Sequence, residues 1–168
     1  YWAISVARFV DGRPSEVFLD VPALRQRIVA LKGRGAFRNG EALSAETRLL
    51  ANSACVSLCS RSIRVLQKKP DQPFPGKIRL LGVASLNLVS VAMGQTLGAL
   101  EATPRIWDLA AAWLVLEELE CPIRWLGADP SLLKPGQDLS QAPFPMLAAG
   151  SVAQLNRLLP WAEALSEG

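Results

Sequence analysis

The chain has 168 residues, half of them apolar and a fifth charged, with a net charge of +3. That balance describes a globular domain long enough to bury a substantial core, and it excludes disordered, fibrous and collagen-like classes. The positive charge is mild and dispersed; its densest cluster, Arg61, Arg64, Lys68 and Lys69, lies in a stretch without aromatics from 45 to 73, so no nucleic-acid platform is expected.

The opening YWAISVARFV alternates Trp2, Ile4 and Val6 with Ala3, Ser5 and Ala7, and Asp11-Gly12 turns it into a second strand near 16–19, which predicts a β-hairpin. With no initiator Met, signal-peptide layout or polar leader, this opening is expected to lie inside a domain. A further strand is predicted at 27–31. Lys32-Gly33-Arg34-Gly35 supplies a turn, and Asn39-Gly40 supplies another. Gly33 and Gly35 do not read as a phosphate loop, because no helix-forming run follows them. Residues 1–52 are therefore a strand meander ending in a brief strand at 49–52.

From 53 to 168 the pattern alternates helices and strands. A helix is predicted over 53–67, on which Val56, Cys59, Ile63 and Leu66 recur at three- and four-residue steps and Lys68 and Lys69 suit the C-terminal turn. Residues 70–76 form a Pro-rich loop. A strand at 78–81, a turn at Gly82 and a buried helix over 84–93 follow, the helix interrupted by Ser85, Asn87 and Ser90. A strand at 98–101 leads through Pro104 to a second apolar helix over 107–119. Glu117, Glu118 and Glu120 lie at its unfavourable end and read as a solvated cap. A strand at 123–126, a long Pro/Gly-rich loop over 127–144 and a strand at 146–149 precede a final amphipathic helix over 152–165, with Ser151 as N-cap and Pro160 as a kink or break. The whole, 1–168, predicts a layered α/β architecture, an α+β sandwich without a division into separate domains.

Candidate chemistry is narrow. The chain has no histidine, which removes His-based triads and general bases. Its three cysteines, Cys55, Cys59 and Cys121, have no CxxC spacing, so neither a zinc site nor a disulfide framework is expected; the cytoplasm is the simplest compartment. Cys55 and Cys59 fall one helical turn apart and read as small core residues. No apolar run of about twenty residues is present, so no membrane span is expected. Asp108 stands out as an acid at the mouth of an apolar helix. Taken alone it reads as a helix cap.

The segments WDLAAAWLVLEE (107–118), KGRGAFRNGEAL (32–43) and GVASLNLVSVAMGQTLGALE (82–101), with the opening strand pair, resemble in order the inositol monophosphatase family over nearly the whole chain. The resemblance implies the fold of that family, truncated at its N-terminus, and a Mg²⁺-dependent phosphomonoesterase acting on a small phosphorylated metabolite such as inositol monophosphate. It implies Asp108 as a metal ligand, Gly82, Val83 and Ala84 beside phosphate and substrate, and Glu101 on a substrate hydroxyl. Carboxylate ligands and Mg²⁺ suit a chain without histidine. The Gly82 turn ahead of a helix N-terminus is a credible anion seat.

The sequence departs from the family in four ways. The Asp-Pro-Ile/Leu-Asp-Gly-Thr metal motif and its upstream Glu ligand are absent, Val83 stands where a hydroxyl residue is usual, Ala112 replaces a Gly of the signature, and Glu118, Leu119, Glu120 and Cys121 stand where Glu-Ala-Gly-Gly commonly follows the helix. The chain by itself is therefore expected to be inactive. Two other readings stay open: a divergent, non-catalytic relative that binds a phosphorylated ligand or protein partner, and a structural module in which Glu101 and Asp108 are surface and capping residues. Exposed apolar surface at Trp2 and Ile4 is expected, with self-association, such as a homodimer, as its consequence.

Overall fold

The structure, a computed structural model, describes residues 1–50, 53–134 and 136–165. Its first quarter is an antiparallel meander, β1 (Ile4–Val10), β2 (Arg13–Val21), β3 (Gln26–Leu31), β4 (Gly35–Arg38) and β5 (Glu41–Ala42), paired in sequence order. The predicted turns at Asp11-Gly12 and Asn39-Gly40 connect these strands, and Asp11, Gly12, Asn39 and Gly40 all adopt the left-handed backbone that Asx and Gly tolerate. The register sets two faces. Leu19 pairs with Ile28, and Val17 with Ala30 and then Ala36, giving a buried inner face. Val6, Phe18, Val29 and Phe37 line up across the outer face.

In β1 the large residues point the less obvious way. Trp2, Ile4 and Val6 are exposed, as expected for Trp2 and Ile4, while the small Ala3 and Ala7 pack on the core. Small side chains there let the helix beneath approach closely, and the Ser5 hydroxyl donates to the Trp107 carbonyl on that helix.

After a short α1 (Ala45–Leu50), the second sheet is built from β6 (Cys55–Leu58), β7 (Lys77–Arg79), β8 (Gly98–Glu101), β9 (Ile123–Trp125) and β10 (Met146–Ala149), in the order β7-β6-β8-β10-β9. The β6 strand runs parallel to both β7 and β8, whereas β10 is antiparallel to β8 and β9. The helices are α2 (Arg64–Lys68), α3 (Ala84–Ala92), α4 (Ile106–Glu118) and α5 (Val152–Glu163). α4 lies on the first sheet, α3 packs beside it and against the second, and α5 with α2 covers the second sheet's other face. Alternation along β8 and β10 explains the layering: Ala99, Met146 and Ala148 join the core between the sheets, Leu100 and Leu147 the one beneath α5. The predicted layered α/β sandwich is thus what forms.

Two local expectations fail. The helix expected over 53–67 is a strand, β6, followed by the short α2, so Cys55 and Cys59 do not share a helical turn. Val56 and Leu58 are fully buried in the interior strand of a parallel pair, and that tertiary pairing overrides a three-and-four spacing that Ile63 and Leu66 match only from outside the strand. Where a strand was expected at 49–52, α1 runs to Leu50, and the rest of that expectation lies outside the described residues. Ser151 caps α5 as expected, its hydroxyl accepting from the Gln154 N–H at 3.3 Å, but the helix continues through Pro160 rather than breaking there. Among the described residues no helix is long and apolar enough to cross a membrane.

Candidate functional site

A cleft of about 630 Å³ opens where the N-terminal ends of α3 and α4 meet the C-terminal ends of β6 and β8. All five residues singled out from the sequence, Gly82, Val83, Ala84, Glu101 and Asp108, line it.

Gly82 sits at φ +80°, a backbone conformation that a Cβ would strain, and it turns the chain from β7 into α3. Val83 is the extended N-cap residue of α3 and has no side-chain acceptor, so no side chain caps the helix there. The first-turn N–H groups consequently lack intrahelical partners at the edge of the cleft, and the positive end of the helix dipole adds to their attraction for an anion. The absence of a hydroxyl at Val83 removes one polar contact but also removes the cap that would compete for those N–H groups.

Asp108 is the third residue of α4, not its cap, because the helix starts earlier than the sequence pattern indicates; Arg105 holds the N-cap position. The Asp108 carboxylate folds back so that Oδ2 accepts from the Arg105 N–H at 2.8 Å, which leaves Oδ1 for a cation. Glu101, at the end of β8, is 2 % exposed. Burial pushes its carboxyl from 4.5 up to about 7; hydrogen bonds from Asn87 and the Cys59 thiol oppose the rise and the Asp108 charge adds to it. The Asn87 amide donates to Glu101 Oε1 at 2.7 Å.

Asn87, Cys59 and Arg61 also belong to this cleft and were not singled out from the sequence. Asn87 had a visible signal, a polar residue inside an apolar helix. It anchors a buried polar run in which Ser90 Oγ donates to the Asn87 carbonyl at 2.6 Å and lies 2.8 Å from Thr96 Oγ1. Arg61, whose Nη1 donates to Thr103 Oγ1 at 2.6 Å, had none, because its segment was read as a helix. The acids at the end of α4 are engaged rather than solvated: Glu117 accepts from Arg13 at 2.6 Å and from the Trp113 indole at 2.8 Å, and Glu118 accepts from the Gly33 and Gly35 N–H groups at 2.7 Å each.

The donor set suits a hard divalent cation. Asp108 offers an oxygen ligand, and its charge, which contributes to the raised Glu101 pKa, is what a cation bound there would offset. The described residues include no cluster of three or more His, Cys, Asp or Glu side chains. Mg²⁺ is commonly held by only one or two carboxylates together with waters and substrate phosphate, so Asp108 fits it as part of a site.

One cleft of this layered α/β fold thus gathers an uncapped helix start and two carboxylates. The model of the inositol monophosphatase family matches residues 1–142, and the chain belongs to that family. It is similar to a Thermotoga maritima fructose-1,6-bisphosphatase/inositol-1-monophosphatase, with 28% identity over 123 residues that cover 70% of this chain and 46% of that protein. Among solved structures, the Thermotoga maritima inositol monophosphatase TM1415 superposes with a TM-score of 0.74 at 20% identity, covering 98% of this chain and 62% of that one. An inositol monophosphatase/NADP phosphatase complexed with Mg²⁺ and phosphate superposes with a TM-score of 0.68 at 24% identity, covering 93% and 58%. The chain thus spans about half the length of the curated relatives it matches.

Proposed function

We propose that this cleft is the substrate-facing part of a Mg²⁺-dependent phosphomonoesterase site for a small phosphorylated metabolite such as inositol monophosphate. The observation that carries the reading is convergence: an uncapped helix start and two carboxylates, from three elements, line one cleft. In this reading the turn at Gly82, Val83 and Ala84 seats the phosphate with backbone N–H groups. Glu101, held by Asn87, takes a substrate hydroxyl. Asp108, oriented by the Arg105 N–H, holds the metal. When bound, Mg²⁺ supplies Lewis acidity that stabilises charge developing on the phosphoryl oxygens. A single carboxylate holds such an ion weakly, so the chain by itself binds the ester but does not turn it over appreciably.

The test is the affinity of the chain for inositol 1-phosphate with and without Mg²⁺. Mg²⁺ is expected to tighten binding about tenfold or more, equivalent to at least about 1.4 kcal/mol, and Asp108→Asn is expected to abolish that enhancement. Binding that ignores Mg²⁺ in both proteins would favour a non-catalytic relative that takes a phosphorylated ligand, a reading motivated by Val83 and by the departure from the family signature at Ala112. Rapid Mg²⁺-dependent phosphate release by the chain, lost in Asp108→Asn, would overturn the expectation of inactivity.

A further inference from the structure

A second, smaller cavity of about 100 Å³ lies where α1 meets the start of α5, lined by Arg48, Ser53, Thr96, Gly150, Ser151 and Gln154 among others, and it shares no lining residue with the cleft. Arg48 is 6 % exposed. Its Nη2 donates to the Leu119 carbonyl at the end of α4, 2.9 Å away, and the guanidinium also faces the Cys121 thiol, but Nε and Nη1 meet no hydrogen-bond geometry with any partner among the described residues. Gln154 Oε1 is likewise buried and without a partner. The two orphans meet at Gly150: a Cβ built there would lie 2.6 Å from Gln154 Oε1 and 3.5 Å from Arg48 Nη1.

The electrostatics are one-sided. No carboxylate forms an ion pair with Arg48 among the described residues. The nearby Cys121 thiol is neutral at pH 7, because burial raises it to about 11 against the opposing influence of Arg48. α5 is a twelve-residue helix whose N-terminus adds positive potential beside the guanidinium. Ser151 Oγ takes the Gln154 N–H, and the N–H groups of Val152 and Ala153 have no intrahelical acceptor. A buried cation without a counter-charge is strongly disfavoured, as it is when one partner of a buried ion pair is removed. Water in the cavity satisfies hydrogen bonds but leaves that charge in place.

We propose that this cavity binds a small protonated oxyanion, with inorganic hydrogen phosphate as its type: one oxygen accepts from Arg48 Nη1 while the acidic hydroxyl donates to Gln154 Oε1. A water needs only about 10–15 Å³ of such volume, so the cavity has room for an ion of several heavy atoms. Chloride neutralises Arg48 but has no hydrogen for Gln154, which is why an oxyanion carrying a proton is favoured.

The test is thermal unfolding of the whole chain in phosphate and in chloride at matched ionic strength and pH 7. Phosphate at about a hundredfold excess over its Kd is expected to raise Tm by about 5 °C or more relative to chloride. Gln154→Glu puts a carboxylate beside Arg48 as an internal counter-ion. It is expected to raise Tm in chloride and to lose the phosphate-dependent rise, and Arg48→Met is expected to lose that rise as well. Asp108→Asn is expected to keep it. Equal Tm in both salts, a full phosphate rise in Gln154→Glu, or a rise that disappears in Asp108→Asn would each overturn the proposal. Should Arg48→Met fail to fold, Gln154→Glu decides the matter.

Discussion

At the scale of single residues, Glu101 is the most informative group, because its proton couples the cleft to the stability of the fold. Its carboxyl titrates near 4.5 when unfolded and near 7 when folded, so between those values the native state holds a proton that the unfolded chain has lost. Stability rises with pH where the unfolded state binds more protons; here the native state binds more, so the contribution is complete below about pH 4.5 and is lost as pH rises through 7. Replacing Glu101 with Gln keeps the shape and removes the titration. Urea unfolding in the presence of a chelator is expected to show Glu101→Gln and wild type diverging across that window, with the variant more stable at pH 8 than at pH 5 by a margin, relative to wild type, on the order of 2–3 kcal/mol. Parallel curves at both pH values would mean that the carboxyl is not desolvated as its 2 % exposure implies. The same residue shows what a sequence can and cannot disclose. An acid at 101 was visible, but its raised carboxyl comes from burial by walls built from other elements, opposed by the bond from Asn87, fourteen positions earlier.

Among the elements, α4 shows how local pattern and tertiary context divide the information. Its body was legible because eight consecutive residues, Leu109 to Leu116, are small or apolar, and all eight are buried. Its end was not. Glu117 and Glu118 sit at the negative end of the helix dipole and look like a penalty, but Arg13 lies 104 positions away and the Gly33 and Gly35 N–H groups 85 and 83. The left-handed turn through Gly33 and Gly35 exposes those two N–H groups, and one carboxylate accepts both. The motif therefore resembles an anion nest but binds a side chain of the same molecule. Glu118→Ala is expected to cost about 2–3 kcal/mol in urea unfolding, since hydrogen bonds to charged groups are worth about 1.5–3 kcal/mol each and these two are partly exposed. Glu120→Ala, on an exposed residue of the same acid cluster, is expected to change stability by less than about 0.5 kcal/mol. Equal costs at the two positions would return Glu118 to the role of a solvated surface acid. β6 failed for a related reason: its parallel partners come from later in the chain, and nothing within four residues of apolar sequence distinguishes such a strand from a piece of helix.

For the molecule as a whole, the question is what makes two sheets one folding unit, given that each has its own strand order and, among the described residues, no strand pairs across them. Trp113, in the middle of α4 and 2 % exposed, answers it structurally. Its indole meets Phe9 of the first sheet edge-on at 6.4 Å and Trp125 of the second at 5.6 Å. The Arg13 guanidinium lies over the same ring at 5.0 Å, and the indole N–H is spent on Glu117. One side chain thus ties β1, β2, α4 and β9 together, whereas α3 and the small residues beside it fill the rest of the interface. Removing a buried aromatic of this size costs about 3–5 kcal/mol, more than the loss of any one surface contact. Trp113→Ala is expected to lower the unfolding free energy by that amount, and Trp113→Phe by less, because the phenyl ring keeps part of the edge-to-face packing and loses the hydrogen bond to Glu117. The cooperative consequence is separable from the energetic one. If α4 welds the sheets, amide exchange in Trp113→Ala accelerates in β2 and β10 by the same factor, because both open only through the global transition. Faster exchange confined to β2, with β10 retaining wild-type protection, would show instead that the second sheet, held by α3 and α5, folds independently of the first.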